Sequence, residues 1–142
     1  MILLAVLSII SGRSESDLYR MDIPTDWQRL ELAQSQDTTL PIAEFKTQDA
    51  KIVIHNFPNM PIPAEAQIAR WKKQNPKGVV TPLSFSGYKG FMLEDTNLIA
   101  IAINVNQPGE KGAPVTLKAT GGFNHEKMKK ALMTFETIDP IK

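Results

Sequence analysis

Short apolar segments alternate with polar residues along most of this chain, with the period of two that is typical of half-buried β-strands. Eight segments follow this pattern: residues 18–23, 27–33, 41–47, 51–57, 83–86, 88–94, 98–105 and 115–119. Residues 51–57 are apolar on both faces, which indicates an interior strand. Residues 79–82 are predicted to be irregular or a short edge strand. Because most neighbouring strands are joined by short turns, the pattern predicts a mostly antiparallel sheet.

Two segments follow the helical period instead. Within residues 64–74, Ala64, Ile68 and Trp71 recur at i, i+4 and i+7. Asn124 is a favoured N-cap residue and predicts the start of a closing helix. The apolar stripe of that helix is Met128, Ala131, Leu132 and Phe135. The element order β-β-β-β-α-β-β-β-β-α predicts an α+β fold, an antiparallel sheet covered by helices.

The first residues differ from the rest of the chain. Residues 2–10 are apolar apart from Ser8, and small residues and then polar ones follow. This order is typical of an export signal, so residues 1–13 are interpreted as a leader to the bacterial periplasm or cell envelope. Any membrane association would then depend on an uncleaved leader. The alternative is that the run packs inside the folded protein, which would remain cytoplasmic.

Composition narrows the classes of function. A length of 142 residues predicts one domain, assigned here to residues 17–142. The chain has no cysteine, which excludes thiolate catalysis, thiolate metal sites and lipidation at Arg13, the position where a lipoprotein signal carries its cysteine. A formal net charge of +1 provides no field that would attract nucleic acid, so no nucleic-acid partner is expected.

The sequence contains no recognisable catalytic arrangement. No Gly-x-Ser-x-Gly motif occurs, and Glu94 and Asp95 are adjacent at a turn, so their side chains should point apart. The two histidines, His55 and His125, could in principle bind a metal together with a carboxylate such as Glu126 or Asp22, but they lack the spacing of a metal-binding motif. We therefore expect a protein that is not an enzyme and that holds no metal or cofactor.

Basic side chains and one tryptophan are the candidate contacts to a partner. One predicted basic edge surrounds Trp71 and consists of Arg70, Lys72, Lys73 and Lys77. A second basic edge lies on the closing helix and consists of Lys127, Lys129 and Lys130. Such edges attract acidic proteins or anionic envelope components, although they are also common as solvated helix faces. Trp27 is a further candidate anchor, with core packing as the alternative.

Three motifs resemble the PsbP-like family, which includes extrinsic photosystem proteins, a small-GTPase-binding import cofactor and exported bacterial domains. The motifs are Tyr19-x-Met21-x-Ile23-Pro24-x-x-Trp27, Ile52-Val53-Ile54-x-Asn56-Phe57-Pro58 and Val115-x-Leu117-x-Ala119-x-Gly121. The resemblance implies an α/β/α sandwich that acts as a binding or assembly factor. It assigns no interaction site, because the motifs are core and turn positions.

Two functions remain open on the sequence alone. The first is a non-catalytic exported module that binds a protein or an envelope component. The alternative is a small-ligand or metal carrier with a pocket between the sheet and a helix. A deep apolar pocket would favour the carrier, two imidazoles beside a carboxylate would favour metal, and a shallow charged or aromatic surface would favour the binding module.

Overall fold

A computed structural model describes residues 19–31, 43–56, 63–85, 88–104 and 115–137. These residues form a seven-stranded antiparallel sheet, a separate two-stranded ribbon and two α-helices. The α+β class predicted from the sequence is confirmed, and so is the antiparallel character of the sheet. The apolar leader, residues 1–13, lies outside the described residues.

The strands, in chain order, are β1 Tyr19–Arg20, β2 Gln28–Arg29, β3 Ala43–Lys46, β4 Ala50–Asn56, β5 Val79–Phe85, β6 Tyr88–Asp95, β7 Leu98–Ile103, β8 Val115–Gly121 and β9 Glu136–Thr137. Helix α1, Ala64–Gln74, follows β4, and helix α2, His125–Leu132, follows β8. The sheet order is β2-β3-β4-β8-β7-β6-β5, and β1 pairs with β9 in the ribbon. The order places β7 and β8 in the middle of the sheet.

Strand β7 separates two apolar layers. All six of its residues are buried, as expected for a strand covered on both faces. Leu98, Ala100 and Ala102 pack in one cluster with α1, whereas Ile99, Ile101 and Ile103 pack in another with α2. Because successive strand residues point to opposite faces, the two helices lie on opposite faces of the sheet.

Helix α1 begins and ends where its sequence pattern predicts. Its buried residues are Ala64, Ile68 and Trp71, the three predicted from the period. The backbone N–H of Ala64 donates to Oδ1 of Asn104 at 2.7 Å. The side chain of Asn104, which follows β7, thus provides a partner for an N–H group that has none inside the helix. Helix α1 contacts β6 and β7.

Helix α2 closes the larger core. Asn124 caps it by accepting a hydrogen bond at 3.0 Å from the backbone N–H of Lys127, as predicted. Met128 and Leu132 are buried against the sheet, together with Met21 and Trp27 from the N-terminal segment. Phe135 is also buried but follows the end of the helix, so the prediction of a longer helix was wrong at this residue.

The edges of the sheet depart from the predicted pattern. Residues 79–85 form one edge strand, where Pro82 is tolerated because an edge position does not require its missing N–H. The predicted strands at residues 18–23 and 27–33 shorten to the two-residue strands β1 and β2 within the described residues. Strand β9 was not predicted, since two residues carry too little periodicity. No helix in the described ranges is long and apolar enough to cross a membrane.

Candidate functional site

The two predicted basic edges lie on opposite faces of the sheet, because α1 and α2 do. They therefore form no continuous cationic surface. On α1 and the turn after it, Arg70, Lys73 and Lys77 are exposed and available to a partner.

Lys72 has a structural role instead. Its Nζ donates to the backbone carbonyls of Pro76 at 2.8 Å and Gly78 at 2.6 Å, just beyond the end of the helix. A lysine at this position satisfies carbonyls that have no partner inside the helix and complements the helix dipole. The prediction of Lys72 as a free partner contact is therefore revised.

Lys129 and His125 are held by a carboxylate on the sheet. Nε2 of His125 lies 2.7 Å from Oε2 of Glu94, and Nζ of Lys129 lies 3.5 Å from Oε1 of the same residue. Glu94 thus ties α2 to β6 and differs from the carboxylates considered on the sequence, Glu126 and Asp22. The neighbouring Asp95 accepts a hydrogen bond from the backbone N–H of Thr96, so the two adjacent carboxylates do not converge.

His55 lies on the other face of the sheet. It alternates along β4 with Ile54, which is buried in the α2 core, so its ring lies on the α1 side. Burial lowers its pKa; Glu44 opposes this shift and Lys118 adds to it. The two imidazoles therefore cannot share one metal ion, and no group of three potential ligands occurs in the described part of the chain.

Trp27 belongs to the core rather than to the surface. It is 9% exposed, and its ring centroid lies 5.6 Å from that of Phe45. The alternative considered on the sequence, core packing, is confirmed. It also lines a surface groove.

The groove runs between α2 and the segment of residues 22–27. The backbone N–H of Asp22 donates to Oγ1 of Thr134 at 3.2 Å, which fixes one end of the segment beside the turn that follows α2. The backbone N–H of Trp27 bonds to the carbonyl of Pro24 at 3.1 Å, and this turn places Trp27 near the start of α2. The segment and the helix therefore run in opposite directions along the groove.

Two hollows make up the groove. The first has a volume of about 160 Å³ and is lined by Pro24, Asp26, Trp27, Thr47, Asp49, Phe123, Asn124, Lys127, Met128 and Ala131. The second has a volume of about 270 Å³ and is lined by Asp22, Ile23, Pro24, Lys127, Lys130, Ala131 and Thr134. Because Pro24, Lys127 and Ala131 line both hollows, the two lie side by side.

The turn between β3 and β4 forms the third wall. Oγ1 of Thr47 accepts hydrogen bonds from the backbone N–H groups of Asp49 and Ala50, both at 3.0 Å. The backbone N–H of Gly122 donates to the carbonyl of Asp49 at 2.9 Å. Gly121, with a φ of 130°, allows this close approach, since a Cβ there would collide with the same carbonyl. Asp49 is thereby fixed beside the start of α2.

The acidic and basic side chains of the groove are distributed unequally between its two hollows. Asp26 and Asp49 line the first hollow, Asp22 and Lys130 line the second, and Lys127 lines both. These five side chains form no ion pair with another described residue.

Sequence reasoning identified single groove residues but not the groove. Trp27, Lys127 and Lys130 were candidates, whereas Asp26 and Asp49 were not. The turn at residues 24–27 is a sequence feature that indicates this site, because it places an acidic residue next to an aromatic one. The pattern gave no sign that this turn faces α2.

Comparison with known proteins assigns no family. No protein-family model and no curated protein matches the chain. A crystal structure from Bacteroides thetaiotaomicron VPI-5482 is 13% identical and has a TM-score of 0.44. The match covers 87% of this chain and 46% of that one, so this chain spans about half the length of its structural neighbour.

Proposed function

We propose that this protein is an exported module that binds a partner protein through the groove beside α2. The observation that carries the proposal is the groove itself, which is lined by aromatic side chains and by charged side chains that form no ion pair with another described residue. Interfaces commonly combine an apolar and partly aromatic centre with a polar rim, and the first hollow, lined by Trp27 and Phe123 together with Asp26 and Asp49, has this composition.

The dimensions of the groove favour a protein segment over a small ligand. Pockets for small molecules usually enclose about 300–1,000 Å³, and both hollows are smaller. Their position side by side along α2 suits an elongated ligand. A carrier remains the weaker candidate, and a metal carrier is weaker still because His55 and His125 lie on opposite faces.

Two sequence features support the rest of the proposal. The apolar leader favours export, and the intact mass of the protein recovered from cells would show whether residues 1–13 are removed. The three PsbP-like motifs favour membership of a family whose members mostly act as binding or assembly factors. An envelope protein is the partner that agrees with both features.

The substitution Ala131→Arg tests the groove. Ala131 is half-buried and lines both hollows, so a long charged side chain there would obstruct the whole site. Ala69→Arg is the matched control, because Ala69 is an exposed helical residue on the opposite face of the sheet. A random peptide library displayed on phage is selected on the wild-type protein, and the enriched peptides are measured by fluorescence anisotropy.

We expect the enriched peptides to bind Ala131→Arg at least tenfold more weakly than wild type and to bind Ala69→Arg normally. Thermal unfolding of both variants verifies that they are folded. Equal binding to wild type and to folded Ala131→Arg would overturn the proposal. Loss of binding on Lys73→Glu alone would instead place the interaction surface on the basic edge of α1.

A further inference from the structure

We propose that the groove selects an extended segment in which one leucine-sized side chain lies between a basic and an acidic residue. The apolar side chain enters the first hollow. The basic residue faces Asp26 and Asp49, and the acidic residue faces Lys130. This inference rests on the proposed function and specifies the chemistry of its ligand.

The first hollow determines the apolar anchor. Trp27, Phe123 and Met128 line it, and its volume is about 160 Å³. An engineered apolar cavity of about 150 Å³ holds one benzene molecule, so this hollow has room for one branched aliphatic side chain or one ring. An anchor of this kind would contact Trp27, Phe123 and Met128.

The length of the groove determines how many residues are selected. Lining residues extend from Asn124, which caps α2, to Thr134, two residues beyond the helix end at Leu132. The eight helical residues span about 12 Å at 1.5 Å each, which an extended chain covers in about four steps of about 3.3 Å. An anchor with a charged residue two positions away on either side matches this length.

The charges at the two ends determine the order of the ligand charges. The first hollow contains two carboxylates and one ammonium, from Asp26, Asp49 and Lys127. The second contains one carboxylate and two ammonium groups, from Asp22, Lys127 and Lys130. A segment with opposite charges at its two ends complements both hollows, whereas a segment with two like charges opposes one of them.

Four synthetic peptides test the inference. They share the form Gly-X-Ser-Leu-Ser-Z-Gly with blocked ends, and X and Z are Lys and Glu, Lys and Lys, Glu and Glu, or Gln and Gln. Fluorescence anisotropy at low salt measures their affinities for wild type, for the double variant D26N/D49N, for Lys130→Gln and for Ala69→Arg as control. A Lys/Glu peptide with Gly in place of Leu measures the anchor.

The Lys/Glu peptide should bind most tightly, and replacing its Leu by Gly should weaken it about tenfold or more. Exposed charge pairs contribute little individually, so each charge is expected to change affinity about two- to fivefold. D26N/D49N should weaken only the peptides that carry Lys, and Lys130→Gln only those that carry Glu. Raising the salt concentration should reduce both effects.

The outcomes separate this inference from the proposed function. Equal affinity of all four peptides, with binding still blocked by Ala131→Arg, would overturn the charge order but leave the groove as a peptide site. Binding unaffected by Ala131→Arg would overturn both proposals. Sedimentation showing a wild-type dimer that Ala131→Arg dissociates would identify a second copy of the chain as the ligand and would also overturn the inference.

Discussion

The two faces of the seven-stranded sheet are covered in different ways. On one face, β7 presents Ala100 and Ala102 to α1, and these small residues allow the helix to pack closely in a small cluster. On the other face, Ile99 and Ile101 belong to a core of seventeen buried residues that also receives α2 and the N-terminal segment.

The described hollows accordingly lie only on the face of the sheet that α2 covers. The short helix α2 and the segment of residues 22–27 cover the wide core together, and the groove remains along their boundary. On the opposite face, by contrast, the part of the sheet next to α1 carries polar side chains such as Glu44, His55 and Lys118. A large core closed by two separate elements therefore leaves a groove at their boundary.

A matched pair of isoleucine truncations should give the largest effect. Ile101→Ala removes a side chain with 0% exposure from the α2 core, and we expect a loss of about 3–5 kcal/mol in the free energy of unfolding, the upper part of the range for such cavities. Ile68→Ala, in the smaller α1 cluster, should lower the free energy of unfolding by about 1–3 kcal/mol, because α1 can shift and fill part of the cavity. Urea unfolding measures both, and a larger cost for Ile68→Ala would contradict the comparison.

Reversing the charge of two lysines, one at a time, should change the free energy of unfolding by a smaller amount. Lys72→Glu removes two hydrogen bonds from an ammonium group to backbone carbonyls, and we expect a cost of about 1–2 kcal/mol. Lys127→Glu, on the groove, should change stability by less than about 0.5 kcal/mol, since Lys127 forms no ion pair with another described residue. Thermal and urea unfolding distinguish the two, and equal destabilisation would show that the groove charges are structural as well.

The pH dependence of stability should be the smallest effect. Because burial lowers the pKa of His55, the folded protein binds a proton there less readily than the unfolded chain does. The contribution of this residue to stability is therefore complete above about pH 6.5, the ordinary histidine value, and decreases as the pH falls through that value towards the folded pKa.

The variant His55→Gln isolates this contribution. It should lose less stability than wild type between pH 7.5 and pH 5.5, as measured by urea unfolding at each pH. Lys118→Gln should change the slope in the same direction, because Lys118 adds to the lowering of the His55 pKa. Identical slopes for wild type and His55→Gln would contradict the assignment.

The confirmed predictions concern local periodicity. Helix α1 has the predicted bounds, and Asn124 caps α2, because each depends on neighbours within one or two turns. The missed features depend on distant residues. Strand β9 pairs with β1, and Glu94 holds His125 from another element, and neither contact leaves a periodic trace in the sequence.

The candidate site shows the same division. The sequence pattern marked Trp27 and the lysines of α2 by residue type, and it placed Pro24 in a turn. It assigned Lys72 and Lys129 to a free surface, because their partners, the carbonyls of Pro76 and Gly78 and the carboxylate of Glu94, become apparent only in three dimensions. Export and the PsbP-like resemblance remain predictions.

The sequence by itself determined the order of the elements as far as α2, the antiparallel class and the buried face of α1, since period and turn chemistry act over a few residues. Only the tertiary structure decided which helix covers which face and where the groove lies. The hydrogen bond that fixes the groove joins Asp22 to Thr134, 112 positions apart. Contacts across such separations depend on the packing of the whole sheet, which local patterns do not specify.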